Sequence, residues 1–456
     1  MSDRILIVGR GKAGLSLADD IRRRGGVVIG FLDDSASGEG VLGDLASVNQ
    51  VVVEHNVDLV YFAIPSSSAS TVRNFINSIE SDNVDIAIVP RTYEILTKET
   101  VDINDLTDVD VLDLVGREPV KHDLLAAREF LQGKRVLVTG AAGSIGSRLT
   151  RQILAAGPSE VICIDWWENG IFFLQQDLES PKNLTFQIAD VKDLNHMEQI
   201  FSNFNPQIVF HAAAYKHVPL MQENPIEAIN NNVLGSLNLM ELSIRHGVSN
   251  FVFVSTDKAV NPVNVMGATK RLGEMLMECF SGLSSKIRFT AVRFGNVIES
   301  NGSVMQIFRS QISKKKALTV THPDVTRFFM TIDEASQLIV QAAALGEDRE
   351  IFVLDMGEPV RIIDLAKSLI RVVDPSLEIE ITGLRPGEKM FEELSYEPSK
   401  VKLTSNEKIF VVHGEKAFDR GKFMTEMRDL VRLTNSYQIS NREAIERLRN
   451  LGFAIQ

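Results

Sequence analysis

The stretch RVLVTGAAGSIGS, residues 135–147, joins an apolar, β-branched run to a helix-like segment through three closely spaced glycines. They are Gly140, Gly143 and Gly146, and Asp165 follows the last of them by 19 residues (165 minus 146), at the end of the next apolar run. Such a turn lets the backbone approach a pyrophosphate, and the helix N-terminus supplies free N–H groups and a partial positive charge. The stretch therefore predicts a dinucleotide-binding Rossmann unit.

The same arrangement occurs at the start of the chain. The run RILIV, residues 4–8, leads into Gly9, Gly11 and Gly14, and Asp33 again follows by 19 residues (33 minus 14). Apolar strands alternate with amphipathic stretches through most of the sequence, which is typical of parallel sheets covered by helices. We therefore predict an α/β fold with two tandem Rossmann-type, doubly wound parallel sheets. For the first unit, a dinucleotide site and a structural or nucleotide-sensing fold without catalysis both stay open.

The alternation loosens beyond Arg293, where several prolines stand among turn signals. We expect a smaller C-terminal substrate-binding lobe there, on the carboxyl edge of the second sheet. The tail is predicted to end in helices, and Ser440 with Glu443 forms a capping box for the last of them.

Composition narrows the functional classes. Of the 456 residues, 44% are apolar and 24% charged, as in an ordinary globular protein. The formal net charge of −12 disfavours nucleic acid and anionic membranes as partners. The two cysteines, Cys163 and Cys279, stand apart, and neither metal-ligand spacing nor an apolar run of about 20 residues is present. We expect a cytoplasmic protein with no metal, no membrane span and no nucleic-acid partner.

Asp165 also bears on the choice of cofactor. A carboxylate at this position can hold both ribose hydroxyls and would repel a 2′-phosphate, so the sequence favours NAD, with NADP still possible. For Trp166 and Trp167 we keep two interpretations, a cover for the adenine or packing at the helix start. Asp190 accepts a hydrogen bond from the adenine amine or simply ends a strand. The predicted cofactor-binding residues are Gly140, Gly143, Ser144, Ile145, Gly146, Asp165, Asp190, Val191, Ala212 and Lys270.

The segment from residue 255 to 270 carries the candidate chemistry. Thr256, Asp257 and Lys258 follow an apolar strand, at the edge where open α/β sheets bind ligands. Met266 and Lys270 are four residues apart at the start of a helix, so their side chains share one face. From there, a lysine can reach the nicotinamide ribose.

These motifs resemble a known family. The chain is similar to the extended short-chain dehydrogenase/reductases, and more narrowly to the long-form UDP-N-acetylglucosamine 4,6-dehydratases of the CapD-like, polysaccharide-biosynthesis branch. The resemblance runs from about residue 133 to 400 and rests on TGAAGSIGS, HAAAYKHVPLMQENP, NNNVLGSLN, STDKAVNPVNVMGATKR, VRFGNV, TRFFMT and GLRPGEK. The DLVGREPV segment and the first Rossmann unit resemble the long form as well.

The resemblance implies a reaction. A tightly bound NAD oxidises the sugar at carbon 4, water is eliminated across carbons 5 and 6, and the hydride returns to carbon 6, so the cofactor is regenerated in each turnover. It further implies that Asp257 is the acid, that Lys258 is the base, that Thr256 hydrogen-bonds the carbon 4 oxygen and that Lys270 orients the nicotinamide. The long form is associated with retention at carbon 5.

Met266 stands where the superfamily usually has a proton-accepting tyrosine. Long-form dehydratases also carry methionine here, but a thioether cannot accept the proton of the carbon 4 hydroxyl. We count Met266 among the catalytic positions and leave the acceptor open between Lys258 and a water relayed through Thr256.

The resemblance also implies nucleotide-sugar contacts for Asn296, Arg327, Arg385 and Glu388, with UDP-N-acetylglucosamine as substrate. Lys216 also belongs to this predicted substrate set. The planar guanidinium pairs two diphosphate oxygens, although an arginine taken alone is more often part of a surface ion pair. His217 lines the sugar pocket or is a satisfied loop histidine.

Family features also set expectations for organisation. Long-form relatives usually carry N-terminal membrane helices, so we interpret this chain as a cytoplasmic variant, and we expect a homo-oligomer. Glu299 replaces a small residue, which would alter substrate choice. The predicted domains are 1–112, Rossmann-like and of nucleotide- or CoA-binding type; 113–132, a linker; 133–400, the catalytic domain with a UDP-sugar lobe; and 401–456, a helical extension.

Two rival interpretations stay open. UDP-sugar 4-epimerases share the fold, the cofactor and the carbon 4 oxidation without the elimination step. The second rival is a non-catalytic nucleotide-binding regulator. Met266 and the first Rossmann unit favour this interpretation.

Overall fold

The computed structural model describes residues 3–35, 37–81, 83–89, 107–108, 114, 124–179, 181–284, 286–298, 300–396, 400–412 and 417–456. Glu299 and most of the DLVGREPV segment lie outside these ranges. Two compact units form, and each is assembled from three stretches of chain. The first unit comprises Met1–Glu118, Val304–Thr326 and Val360–Gly383, and the second comprises Pro119–Ser303, Arg327–Pro359 and Leu384–Gln456.

The strands are short and mostly apolar. In chain order they are β1 (Arg4–Val8), β2 (Val27–Leu32), β3 (Val41–Gly43), β4 (Leu59–Phe62), β5 (Asp85–Ile88), β6 (Thr107–Asp108), β7 (Arg135–Thr139), β8 (Glu160–Asp165), β9 (Leu184–Ile188), β10 (Ile208–His211), β11 (Asn250–Val254), β12 (Arg288–Arg293), β13 (Asn296–Val297), β14 (Leu318–Val320), β15 (Thr326–Arg327), β16 (Phe329–Met330), β17 (Glu350–Leu354), β18 (Val360–Arg361), β19 (Ile379–Ile381), β20 (Val401–Leu403) and β21 (Ile409–Val412).

Helices fill the connections between these strands. They are α1 (Lys12–Arg23), α2 (Val48–His55), α3 (Ala69–Ser78), α4 (Leu124–Leu131), α5 (Ser144–Ala155), α6 (Glu168–Asp177), α7 (Leu194–Phe204), α8 (Val218–Glu223), α9 (Pro225–Ile229), α10 (Gly235–Arg245), α11 (Val265–Phe280), α12 (Val304–Ser313), α13 (Ile332–Leu345), α14 (Ile362–Val373), α15 (Arg420–Asn435) and α16 (Asn441–Asn450). Short 3-10 turns cover Leu45–Ser47 and Asp257–Ala259, and a π-helical turn covers Asn230–Leu234.

Each unit is built on its own sheet. In the first, the strand order is β3-β2-β1-β4-β5-β6, parallel except for β6. In the second, it is β20-β21-β17-β12-β11-β10-β7-β8-β9, parallel from β17 to β9. The predicted α/β class with two Rossmann-type sheets is confirmed. In the second sheet the order reverses beside β7, which is the switch point where such sheets bind ligands.

Alternating residues of the central strand β7 explain why its sheet is covered on both faces. Leu137 packs into one apolar cluster, whereas Val136 and Val138 pack into the other. Both faces are buried, so the three central residues of β7, 136–138, are all apolar instead of alternating with polar residues.

The C-terminal segment differs in part from the predicted helical extension over 401–456. Its first part forms β20 and β21, which extend the sheet in antiparallel fashion, because alternating β-branched residues favour strands. Helices α15 and α16 follow and pack on α9 and α11. The capping box of Ser440 and Glu443 is present as predicted.

The predicted domain boundaries stay a prediction, and so does the homo-oligomer. No pattern in the sequence indicated that Val304–Thr326 and Val360–Gly383 fold with the first unit. In the described part of the chain, no helix combines the length and apolar character that a membrane crossing needs. Nor do the described residues contain a group of three or more His, Cys, Asp or Glu arranged to hold a metal ion.

Candidate active site

The glycine turn after β7 is packed too closely for side chains. Gly140 has a φ of +66°, and a β-carbon there would lie 2.6 Å from the backbone nitrogen of Ala213. A β-carbon on Gly146 would lie 2.0 Å from the carbonyl oxygen of Gly140. The backbone therefore folds tightly over the start of α5, where Gly143, Ser144 and Ile145 belong to the predicted pyrophosphate site.

Asp165 stands directly beside this turn. Its Oδ2 accepts a hydrogen bond from the backbone nitrogen of Ala142 at 3.0 Å, and its Oδ1 accepts one from Trp167 at 3.0 Å. Burial raises the pKa of the Asp165 carboxyl. The indole of Trp167 packs over Gly170, but Trp167 is still 43% exposed and Trp166 is 56% exposed. Both interpretations of these two residues stay open.

The other predicted cofactor residues line the same edge of the sheet. Oδ1 of Asp190 accepts a hydrogen bond from the backbone nitrogen of Lys192 at 2.9 Å, as expected for an aspartate that ends a strand. Val191 is buried, and its carbonyl oxygen accepts a bond from Asn238 at 3.1 Å. The backbone nitrogen of Ala212 donates to β7 through the carbonyl of Thr139. Their contacts with a dinucleotide stay a prediction.

Thr256, Asp257 and Lys258 are joined to one another at the end of β11. Oδ1 of Asp257 accepts hydrogen bonds from the hydroxyl of Thr256 at 2.8 Å and from Nζ of Lys258 at 3.0 Å. Asp257 is fully buried, and among the described residues its Oδ2 has no hydrogen-bond donor. A carboxylate oxygen is thus left available at the centre of the predicted catalytic group.

Lys258 contacts two further groups. Its ammonium donates to Oδ1 of Asn296 at 2.9 Å and lies 3.9 Å from Oε1 of Glu392. Burial lowers the pKa of Lys258, but attraction to Asp257 and Glu392 together outweighs burial, so the pKa is raised overall. In this geometry Lys258 is an ammonium, and the predicted role as a base requires that it first lose a proton.

Met266 and Lys270 share one face of α11, as predicted. Met266 is buried, and the helix begins at Asn264, whose side chain accepts a bond from the backbone nitrogen of Gly267 at 2.7 Å. Nζ of Lys270 lies 4.1 Å from the centre of the Phe253 ring. Burial lowers the pKa of Lys270 to about 7.

A buried ionic network contacts the residue that follows β11. Glu274 receives two hydrogen bonds from Arg293, at 2.7 and 2.6 Å, one from Arg271 at 3.0 Å and one from the hydroxyl of Ser255 at 2.7 Å. Burial alone would raise the pKa of Glu274, but the two arginines outweigh it and hold the pKa well below its usual value. Because Ser255 precedes Thr256 directly, this network fixes the position at which the predicted catalytic group begins.

The predicted substrate residues fall into two sets. Asn296 contacts Lys258 of the predicted catalytic group, and Arg327 pairs with Glu388 at 3.0 Å. Arg385 is exposed and contacts Glu388 through its backbone nitrogen at 3.2 Å. Lys216 is exposed as a whole residue. The pKa of its ammonium is nevertheless lowered, mainly because the group is partly removed from water and secondly because Lys258 repels it. The sugar contacts of all five stay a prediction.

Sequence reasoning missed three side chains. Glu392 and Glu274 lie beside or beneath the catalytic group, yet each looks like an ordinary acidic residue in the sequence. Asn232, in the π-helical turn, accepts a bond from the backbone of Tyr215 at 2.8 Å and donates to Thr269 at 2.9 Å, which ties the loop after β10 to α11. Asn232 lies within NNNVLGSLN, and Glu274 and Glu392 follow STDKAVNPVNVMGATKR and GLRPGEK by a few positions, but nothing in these motifs distinguishes the three side chains from their neighbours.

Two parts of the chain match known protein families. Residues 136–414 match the family described as "Polysaccharide biosynthesis protein". Residues 2–90 match the family described as "CoA-binding domain".

Similar proteins include two bacterial polysaccharide biosynthesis proteins. The chain is 42% identical over 436 residues to the probable polysaccharide biosynthesis protein EpsC of Bacillus subtilis, covering 92% of this chain and 71% of EpsC. It is 44% identical over 361 residues to the capsular polysaccharide biosynthesis protein CapD of Staphylococcus aureus, covering 78% of this chain and 60% of CapD. The chain thus spans less than two thirds of the length of CapD.

Solved structures agree with the fold. Pen from Bacillus thuringiensis is 31% identical, with a TM-score of 0.59, over 66% of this chain and 99% of Pen. The UDP-glucose 4-epimerase of Thermus thermophilus, solved with NAD, is 26% identical with a TM-score of 0.51, over 57% of this chain and 90% of the epimerase. From the matched family and these relatives, the chain belongs to the polysaccharide biosynthesis protein family, as a CapD-like member.

Proposed function

We propose that this chain catalyses the 4,6-dehydration of UDP-N-acetylglucosamine to a UDP-4-keto-6-deoxy-N-acetylhexosamine, with the configuration at carbon 5 retained. The observation that carries the proposal is the contact of Thr256, Asp257 and Lys258 at the carboxyl edge of a Rossmann sheet, in reach of Asn296. An epimerase does not need this acid–base pair, because it eliminates no water.

The glycine turn fits a dinucleotide. Tight packing at Gly140 and Gly146 leaves backbone N–H groups at the start of α5, and Asp165 stands beside them to hold a ribose. When bound, NAD supplies a hydride acceptor for carbon 4 and a hydride donor for carbon 6. The Thermus epimerase of the same fold was solved with NAD, which supports this choice over NADP.

The residues of the chain would divide the proton transfers. Thr256 holds the carbon 4 oxygen, and the proton of this hydroxyl passes through Thr256 to the carboxylate of Asp257 as carbon 4 is oxidised. Lys258 takes the carbon 5 proton after losing its own, and Asp257 then delivers its proton to the departing carbon 6 hydroxyl, which leaves as water. Lys258 then returns its proton to carbon 5. Arg327 and Glu388 hold the UDP portion.

The test uses purified protein and UDP-N-acetylglucosamine in deuterated water, followed by mass spectrometry and proton NMR. We expect loss of one water and deuterium at carbon 5, both absent in Lys258→Ala but present in Lys408→Ala, a control at an exposed lysine paired with Asp355. An unchanged mass with a new galacto isomer would contradict dehydration and make the enzyme a UDP-sugar 4-epimerase. Binding without any turnover would instead support the non-catalytic regulator.

A further inference from the structure

Glu392 lies in the catalytic group although 134 residues separate it from Lys258 in the chain (392 minus 258). Its Oε1 is 3.9 Å from Nζ of Lys258, and its side chain is only 4% exposed. Within the described ranges, its Oε2 is buried without a hydrogen-bond donor. Burying a carboxylate is costly unless it is paired, so a position of this kind needs an explanation.

Three contacts fix the backbone around Glu392. Lys389 donates to the carbonyl oxygen of Val260 at 2.8 Å, and the hydroxyl of Tyr396 donates to the carbonyl of Ala259 at 3.1 Å. Asn261 donates to Glu393 at 3.2 Å. Residues on both sides of Glu392 are therefore hydrogen-bonded to the segment that carries Lys258, which fixes the position of Glu392.

Charged groups surround the pair. Asp257 and Lys258 face Glu392 from the turn after β11, Arg327 from β15, and Lys389 from its own segment; Lys258 in addition faces Lys216 from the loop after β10. Burial raises the pKa of Glu392, and attraction to Lys258 opposes this shift. Glu392 therefore accepts a proton more readily than an exposed glutamate, next to an ammonium that must release one.

We propose that Glu392 is a positioning residue that sets the protonation of Lys258: while ionised it holds the ammonium, and by taking the proton it releases the neutral amine. In this step the Nζ–H bond breaks and an O–H bond forms on Glu392, so one positive and one negative charge disappear together and no further reactant is needed. The two groups must close from 3.9 Å to hydrogen-bond distance for the transfer. The purpose of this proton transfer rests on the proposed dehydration, whereas the protonation of Lys258 can be measured without any turnover.

The experiment measures the protonation of Lys258 directly. The full chain is labelled with acetic anhydride over a range of pH, and the acetylation rate of Lys258 is followed by peptide mass spectrometry. Only the neutral amine reacts, and Glu392→Gln removes the negative charge that favours the ammonium. The comparison is made at one pH below the midpoint of the curve of Lys258 acetylation rate against pH. There we expect Lys258 to react at least about threefold faster in Glu392→Gln than in the wild type.

Glu393→Gln is the matched control, because this neighbouring side chain is 49% exposed and pairs with Lys389. It should leave the labelling rate of Lys258 unchanged, and Glu392→Asp, which keeps the charge, should remain close to the wild type. Equal rates in Glu392→Gln and wild type, with both folded by circular dichroism, would overturn the inference.

Turnover supplies a second measurement. If the proposed dehydration holds, the rising limb of kcat against pH should move to lower pH in Glu392→Gln, because the charge that favours the ammonium is gone. The plateau of kcat should fall, because glutamine cannot take the proton, while KM stays the same. A merely structural role would lower kcat at every pH without moving the limb, and that result would also overturn the inference. If no turnover of UDP-N-acetylglucosamine is found, the proposed function fails, while the labelling result still decides the role of Glu392.

Discussion

The side-chain oxygen of Asn296 accepts a hydrogen bond from the ammonium of Lys258 at 2.9 Å. This contact joins the first residue of β13 to the turn after β11, across 38 positions of the chain. Asn296 is a neutral acceptor, so it orients Lys258 without adding to the negative charge that Asp257 and Glu392 already supply.

We expect a charge at position 296 to impair catalysis by raising the proton affinity of Lys258. In Asn296→Asp a third carboxylate faces the ammonium, so the rising limb of kcat should move to higher pH. Asn296→Ala removes the hydrogen bond without adding charge, and it should lower kcat about tenfold without moving the limb. The pH dependence of kcat for both variants checks this; identical pH profiles of Asn296→Asp and wild type would contradict it.

Met266 should be replaceable by a residue of similar volume that has no sulfur. It is buried at the start of α11, and a thioether neither donates nor accepts a catalytic proton. Met266→Leu conserves volume, so turnover should stay within about threefold of wild type and the free energy of unfolding within about 1.5 kcal/mol. Steady-state kinetics and urea unfolding measure both quantities. A loss of activity of a hundredfold or more in a folded variant would show that the sulfur is needed.

Lys270 should lower the stability of the chain that has no cofactor. Burial lowers its pKa to about 7, well below that of a lysine in the unfolded chain. Above about pH 7 the unfolded chain therefore binds a proton that the folded chain does not, so stability should rise with pH until the unfolded lysine also loses its proton. Below that window the burial cost is complete.

Lys270→Met removes this cost. The free energy of unfolding at neutral pH should increase by on the order of 2 kcal/mol, and its rise with pH should weaken, whereas activity should fall. Urea unfolding between about pH 6 and pH 10 measures the effect. An unchanged pH dependence of unfolding in the variant would show that Lys270 is not the titrating group.

Glu274 should be essential for folding because it neutralises Arg293 and Arg271 in the interior. Glu274→Gln leaves two buried guanidinium groups without their carboxylate, which should cost about 3–5 kcal/mol of unfolding free energy. Ser255→Ala removes one hydroxyl donor from the same carboxylate and should cost about 1 kcal/mol. Chemical denaturation compares the two, and similar losses would contradict the importance of the ionic network.

Two alanine variants test the glycine turn. A β-carbon on Gly146 would lie 2.0 Å from the carbonyl oxygen of Gly140, whereas one on Gly143 would lie 3.1 Å from the same atom. Gly146→Ala must therefore open the turn, and it should lower the melting temperature more than Gly143→Ala and abolish NAD binding. Differential scanning fluorimetry with and without NAD distinguishes them; equal melting temperatures would show that the turn relaxes freely.

Much of the site was accessible from the sequence because its parts are contiguous or regularly spaced. Thr256, Asp257 and Lys258 are consecutive, and Met266 and Lys270 are separated by one helical turn, so local geometry alone brings each set together. By contrast, Glu392 contacts Lys258 across 134 positions (392 minus 258), and no periodicity relates the two. The acidity of the FEEL segment gave no indication of which of its two glutamates is buried.

The α/β class can be predicted from the sequence alone, and so can both glycine turns and the distance from each turn to its aspartate. These features follow from apolar periodicity and from turns that only glycine can form, and both are local properties of the chain. Three features became visible only in the folded chain: Val304–Thr326 and Val360–Gly383 join the first unit, Glu274 neutralises Arg293, and Glu392 lies beside the ammonium of Lys258. Such contacts depend on which loops meet at a sheet edge, because burial and charge pairing are set by residues far apart in the chain.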